Sequence, residues 1–194
     1  MRSDSYYGSG LKAAMAIVFL SISILTTLAN AEEARLTDIV VTCNEDHLLV
    51  YFNVKNCFTE DLNKAIESGI NTTFTFFISL YQIRDIQWDK KMADLKVRHD
   101  IVFDNLKEVY RVKLSERNNK MIPVKDFHEA KNLMSKIVGL KLIDLNRLQK
   151  GSRYRVRMMA ELDKIRLPFY LDYALFFLSL WDFETDWYEI NFTY

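Results

Sequence analysis

Glycine is scarce in this chain, with five residues among 194, and beyond position 31 only Gly69, Gly139 and Gly151 remain. These three stand too far apart to build a phosphate-cradling loop, so neither G-x-G-x-x-G nor a Walker-type motif exists, and the nucleophile elbow G-x-S-x-G is missing as well. An excess of either charge is also missing: 26 basic groups face 26 acidic ones. Setting aside the first 31 residues removes Arg2, Lys12 and Asp4 and leaves 24 basic and 25 acidic groups, a net of −1. That balance offers no electrostatic reason to expect nucleic acid or an anionic membrane as a general partner. The histidines His47, His99 and His128 have no second His or Cys at the three- or four-residue spacing that sets two ligands on one helix face. Each is read as a solvated or satisfied surface residue, and no metal or cofactor is implied.

No apolar run reaches the roughly 20 residues of a membrane-spanning helix. The longest, Ala13 to Leu28, has 16 residues and includes Ser21, Ser23, Thr26 and Thr27. Basic Arg2 and Lys12 precede it, and it ends in Ala29-Asn30-Ala31, with small residues at the two positions a signal peptidase reads. Residues 1–31 therefore read as a signal peptide cut after Ala31, with a retained anchor through 13–28 as the alternative. Residues 32–194 then form a single exported, periplasmic globular domain. Its 163 residues suffice to bury roughly 70% of the unfolded surface.

An exported chain with Cys43 and Cys57 invites a disulfide. Yet "LTDIVVTC" and "HLLVYFNV" alternate like strands around the turn "NEDH", and that hairpin sets Cys43 opposite about Leu48, far from Cys57. The hairpin is preferred, leaving both thiols free or buried.

"NTTFTFFISLYQIRDIQW" is the clearest strand. Phe74, Phe76, Ile78 and Leu80 share one face, and Thr73, Thr75, Ser79 and Tyr81 share a wetted one. "LKVRHDIVFDNL", "EVYRVKLSE" and "SRYRVRMMAELDKI" alternate in the same way. Two helices interrupt them. One runs from Thr59 to Ser68 with Thr59 as N-cap and Gly69 as stop, the other from Asp126 to Val138 with Asp126 as cap and Gly139 as stop. The fold class is α+β and β-rich: an antiparallel sheet or sandwich of about seven to eight strands covered by two or three short helices. "FYLDYALFFLSLW", at 13 residues, is too short to span a bilayer and reads as a buried helix or strand pair, with membrane docking as the rival.

Few residues suggest a site. Arg153, Arg155 and Arg157 alternate with Tyr154, Val156 and Met158, so a strand would line three guanidinium groups along one side, able to contact an anion. The competing reading is a solvated sheet face balanced by acids on neighbouring strands. Asp182, Glu184 and Asp186 alternate with Trp181, Phe183, Thr185 and Trp187, which fits a solvated edge better than acid/base chemistry. Phe176, Phe177, Trp181, Trp187 and Tyr188 form the candidate interaction surface, because Trp and Tyr dominate interfaces when exposed; burial in the core is the alternative. The final "YEINFTY" could also be the last strand of a small outer-membrane barrel, but two capped helices and little glycine argue for an antiparallel final strand closing a soluble sheet.

The blocks "SGINTTFTFFISLYQIRDIQW", "VFDNLKEVYRVKL", "ELDKIRLPFYL" and "WDFETDWYEINF" together resemble a family of exported bacterial proteins described as a domain of unknown function, DUF4390. The resemblance implies a small envelope protein, in some genomes encoded beside a membrane sensor kinase of the nitrogen-regulation type, and it carries no catalytic motif. The function expected is therefore non-catalytic binding of an envelope protein or an apolar ligand, with a peripheral membrane contact left open. The alternatives are a membrane-embedded protein and an enzyme with a site assembled from distant residues.

Overall fold

The computed structural model describes residues 33–163 and 183–194. Within them, nine strands form two antiparallel sheets. Strands β1 (Arg35–Cys43), β2 (His47–Lys55) and β7 (Lys136–Asp144) make a three-stranded sheet in the order β1-β2-β7. The six-stranded sheet runs β6-β5-β4-β3-β8-β9, from β6 (Met121–Val124), β5 (Val109–Leu114) and β4 (Lys90–Asp104) to β3 (Thr72–Gln82), β8 (Arg153–Leu162) and β9 (Tyr188–Thr193). This is the β-rich α+β architecture expected, with nine strands described where about seven to eight were expected. Helices α1 (Glu60–Glu67) and α2 (Phe127–Met134) pack against β4 and β5, and among the described residues neither sheet closes on itself.

Period-two alternation explains the two layers. In β2, Leu48, Val50, Phe52 and Val54 are buried while the residues between them are partly exposed. In β3, Phe74, Phe76, Ile78 and Leu80 are fully buried. The two inner faces meet where Phe52 and Phe76 touch edge to face, with ring centroids 5.8 Å apart. Fully burying a side chain of this kind contributes roughly 1.5–3 kcal/mol, so this seam is a main source of stability.

The expected hairpin is present, with Cys43 paired to Leu48, and both cysteines are free, Cys43 exposed and Cys57 buried. Helix α1 starts as expected, Thr59 Oγ1 accepting from the Leu62 amide.

Several sequence expectations about the elements need correction. Helix α2 stops at Met134, and Ile137, Val138 and Gly139 lie in β7. Gly139 has φ +65° and, with Val138, stands opposite Tyr51 where the β2–β7 register slips between Val50 and Phe52. It is a bulge glycine rather than a helix stop. The long strand after Asn71 ends at Gln82, so Trp88 sits in the loop joining β3 to β4. The outer face of β3 is wetted only in part, since Thr75 and Ser79 are buried and donate to Asp163 and Asp94. Finally, β6 went unforeseen: it is short, carries Pro123 and pairs only with β5, as an edge strand with proline does.

Residues 1–31, the apolar segment 169–181 and Asp182 fall outside the described residues, and with them the processing site and the candidates Phe176, Phe177 and Trp181.

Candidate functional site

Strand alternation on β8 turns Arg153, Arg155 and Arg157 to one face, as their spacing requires. Neighbouring elements then supply acids. Arg153 pairs with Asp85 of the β3–β4 loop. The Arg155 Nη1 lies 3.4 Å from Asp89 Oδ2, and its Nε stands 3.4 Å from Glu189 and 3.1 Å from the Asn191 side-chain oxygen. Arg157 Nε lies 2.7 Å from Glu189, and its guanidinium stacks 4.8 Å from the centroid of the Trp187 ring. The balanced sheet face is therefore what folds, with the acids coming from a loop and from β9. Ion pairs this exposed contribute about 0–1 kcal/mol each, so an incoming polar ligand could exchange with them at small cost.

Beside this row lies a cleft of about 410 Å³ lined by Tyr81, Gln87, Trp88, Asp89, Arg155 and Arg157. Its loop is unusual in exposing large apolar side chains: Ile86 is 98% and Trp88 95% accessible. Of the C-terminal candidates, Trp187 and Tyr188 are each 44% accessible. Phe183 and Thr185 turn inward instead, Phe183 meeting Phe74 edge to face at 4.9 Å and the Thr185 hydroxyl accepting from the Ala160 amide. Glu184 and Asp186 stay exposed, as the solvated-edge reading required.

The residue that sequence reasoning misplaced is His99. It is fully buried rather than at the surface, on the inward face of β4 with Val97 and Ile101. Its Nδ1 lies 3.0 Å from the Met134 carbonyl at the end of α2, and its Nε2 lies 3.1 and 3.2 Å from the two Glu116 carboxylate oxygens. A carbonyl can only accept, so Nδ1 carries the hydrogen of that bond. Burial raises the Glu116 carboxyl, but hydrogen bonding and charge from His99 outweigh it and hold the group below its ordinary value. The signal that could have found His99 was parity, because Val97, His99 and Ile101 fall on the face that strand alternation buries.

Glu116 opens onto a second, smaller cleft of about 210 Å³, also lined by Leu114, Glu129, Leu133 and Lys136. Both nitrogens of His99 are engaged within the fold, so the pair binds β4, the turn after β5 and the end of α2 together rather than presenting a base. His47 Nε2 meets Asp144 across the β2–β7 pair at 3.2 Å, and His128 Nδ1 meets Asn132 at 3.1 Å. Among the described residues no group of three or more potential ligands is placed to hold a metal ion. The Cys57 thiol is pushed up to about 12 by burial and donates to the Val54 carbonyl.

The family model described as a domain of unknown function, DUF4390, matches residues 31–191. The chain belongs to the DUF4390 family. The match begins two residues before the described chain and takes in the first eight strands, both helices and β9 as far as Asn191. The arginine row, its cleft and the His99–Glu116 pair thus all lie within the DUF4390 region. No curated protein and no solved structure matched the chain.

Proposed function

We propose that this DUF4390 chain is an exported domain of the bacterial cell envelope that acts by binding a partner rather than by catalysis. The observation that carries this reading is the cleft beside β8. It combines the exposed Trp88 ring with two guanidinium groups, one carboxylate and the Gln87 amide, and Trp187 stacks on Arg157 beside it. Exposed Trp and Arg side by side are the residues that anchor interfaces, and the weak ion pairs around them give way at small cost. The partner this chemistry fits is an extended segment of an envelope protein bearing carboxylates and an apolar residue for Trp88. Export rests on the leader pattern of residues 1–31, and a role beside a sensor kinase rests on the family resemblance alone.

The test is photo-cross-linking in the native host, with a photoreactive residue at position 88 or 187 of the full chain. Position 106, as exposed as position 88 and in the β4–β5 turn at the other end of β4, serves as control. Adducts at 88 and 187 but not at 106, in the exported fraction, are expected. Labelling no stronger than at 106, or a chain found only in the cytoplasm, overturns the reading.

A further inference from the structure

Among the described residues each of the two sheets ends in two edge strands, and three of the four carry a feature that hinders further pairing. Strand β1 is bulged at Asp38, which has φ 52°, and its register with β2 slips there. Strand β6 contains Pro123. Strand β7 is bulged twice, at Gly139 and beside Leu142, and carries Lys136 and Lys141. Proline, bulges and lysine are the usual means of keeping a sheet edge from adding another strand. Strand β9 has none of them: it pairs with β8 in unbroken register from Tyr188 to Thr193. Among the described residues no strand pairs with its other side.

The direction of its free groups follows from one hydrogen bond. The Tyr194 amide donates to the Ser152 carbonyl, so Tyr194 faces β8. In an antiparallel ladder this alternates, so Phe192, Ile190 and Tyr188 also turn their backbone groups to β8. The amides and carbonyls of Glu189, Asn191 and Thr193 therefore point away from the sheet.

We infer that β9 is a self-pairing edge, and that its occupant is β9 of a second copy of this chain, antiparallel and centred on Asn191. The register that places Asn191 against Asn191 of the second copy makes every other pair compatible. Glu189 falls opposite Thr193, so the acid meets a hydroxyl and no like charges face one another. Ile190 falls opposite Phe192, and Tyr188 opposite Tyr194, the aliphatic and aromatic cross-strand pairs that stabilise antiparallel ladders. The outward-pointing groups of Glu189, Asn191 and Thr193 are the three that this register hydrogen-bonds, with Glu189 to Thr193 on either side of the Asn191 pair. Tyr188, now 44% accessible, gains a partner ring. The result is one sheet of twelve strands across two chains, with the arginine rows of both copies on the same face.

The test uses the full chain with Cys43→Ser, which removes the exposed thiol. In a directly opposed, hydrogen-bonded pair the Cα atoms are about 5.5 Å apart, which suits a disulfide. Asn191→Cys is therefore expected to give a dimer band on a non-reducing gel after mild oxidation in cells. Met121→Cys, on the likewise exposed but proline-bearing edge β6, is expected to stay monomeric. A second variant, Asn191→Lys, sets two like charges face to face. Native mass measurement of the purified full chain should shift from dimer to monomer, with an unchanged circular dichroism spectrum showing that the fold is retained. A wild-type chain that is monomeric by native mass, or an Asn191→Cys chain that links only to a different protein, overturns the inference.

Discussion

His99 links Glu116 to the end of α2, Nε2 standing 3.1 Å from the carboxylate while Nδ1 holds the last carbonyl of the helix. The imidazole also meets the Phe76 ring edge to face at 4.7 Å. One side chain thus joins the core, the turn after β5 and the helix, and its removal tests how much of the domain depends on that junction. His99→Phe leaves the mostly buried Glu116 without its partner and should cost about 3 kcal/mol, as breaking a buried pair does. The double variant with Glu116→Gln should be more stable than His99→Phe alone. Urea midpoints of the three proteins check this.

The same pair sets the acid limit. Because Glu116 is held below its ordinary value in the fold, the unfolded chain binds a proton there more readily than the folded one. Its contribution to stability is complete above the unfolded value near 4.5 and is lost as pH falls through the lower folded value. Glu116→Gln should therefore flatten the fall in the urea midpoint below about pH 4.5, while costing about 1 kcal/mol at neutral pH.

Gly139 tests the bulge. A Cβ there would sit 3.4 Å from the Tyr51 hydroxyl, an ordinary contact, so the cost of Gly139→Ala comes from the backbone at φ +65°. About 1 kcal/mol is expected, with Gly139→Asn milder because Asn tolerates that region. Thermal unfolding of the two variants measures the difference.

The two thiols should differ sharply toward a maleimide probe. Cys43 is exposed and Cys57 is buried with its thiol pushed up to about 12. One label per chain is expected on the folded protein and two after unfolding, with no mass change on reduction. Labelling of both in the native state would mean that the region after β2 opens.

Phe76 and Trp88 separate stability from recognition. Phe76 is fully buried against Phe52 and His99, so Phe76→Ala should cost about 3–5 kcal/mol. Trp88, 95% accessible, should change stability by no more than about 0.5 kcal/mol when replaced by Ala. If Trp88→Ala nonetheless abolishes the adduct at position 187, the tryptophan acts in binding.

Much of this architecture was open to inspection in the chain itself. Alternation in "HLLVYFNV" and "TFTFFISL" named the buried faces of β2 and β3, and the turn "NEDH" set Cys43 against Leu48. Thr59 announced α1. These signals are local, since each depends on residues within a few positions of one another. The end of α2 was misread because Ile137 and Val138 continue a helical spacing and also begin a strand, and only pairing with β2 decides between the two.

What tertiary structure alone decided lies between residues far apart in sequence. Glu116 stands 17 positions from His99, and Met134 stands 35; no local pattern joins them, and the β4–β5 pairing and the course of α2 bring them together. The three arginines were visible as a row, but that Asp85, Asp89 and Glu189 would neutralise them followed from a loop and a strand on either side of β8. Residue type and period determine which side of an element is apolar, because side-chain direction repeats with the backbone. Which elements lie side by side is settled by burying those faces against one another, a choice the whole chain makes together.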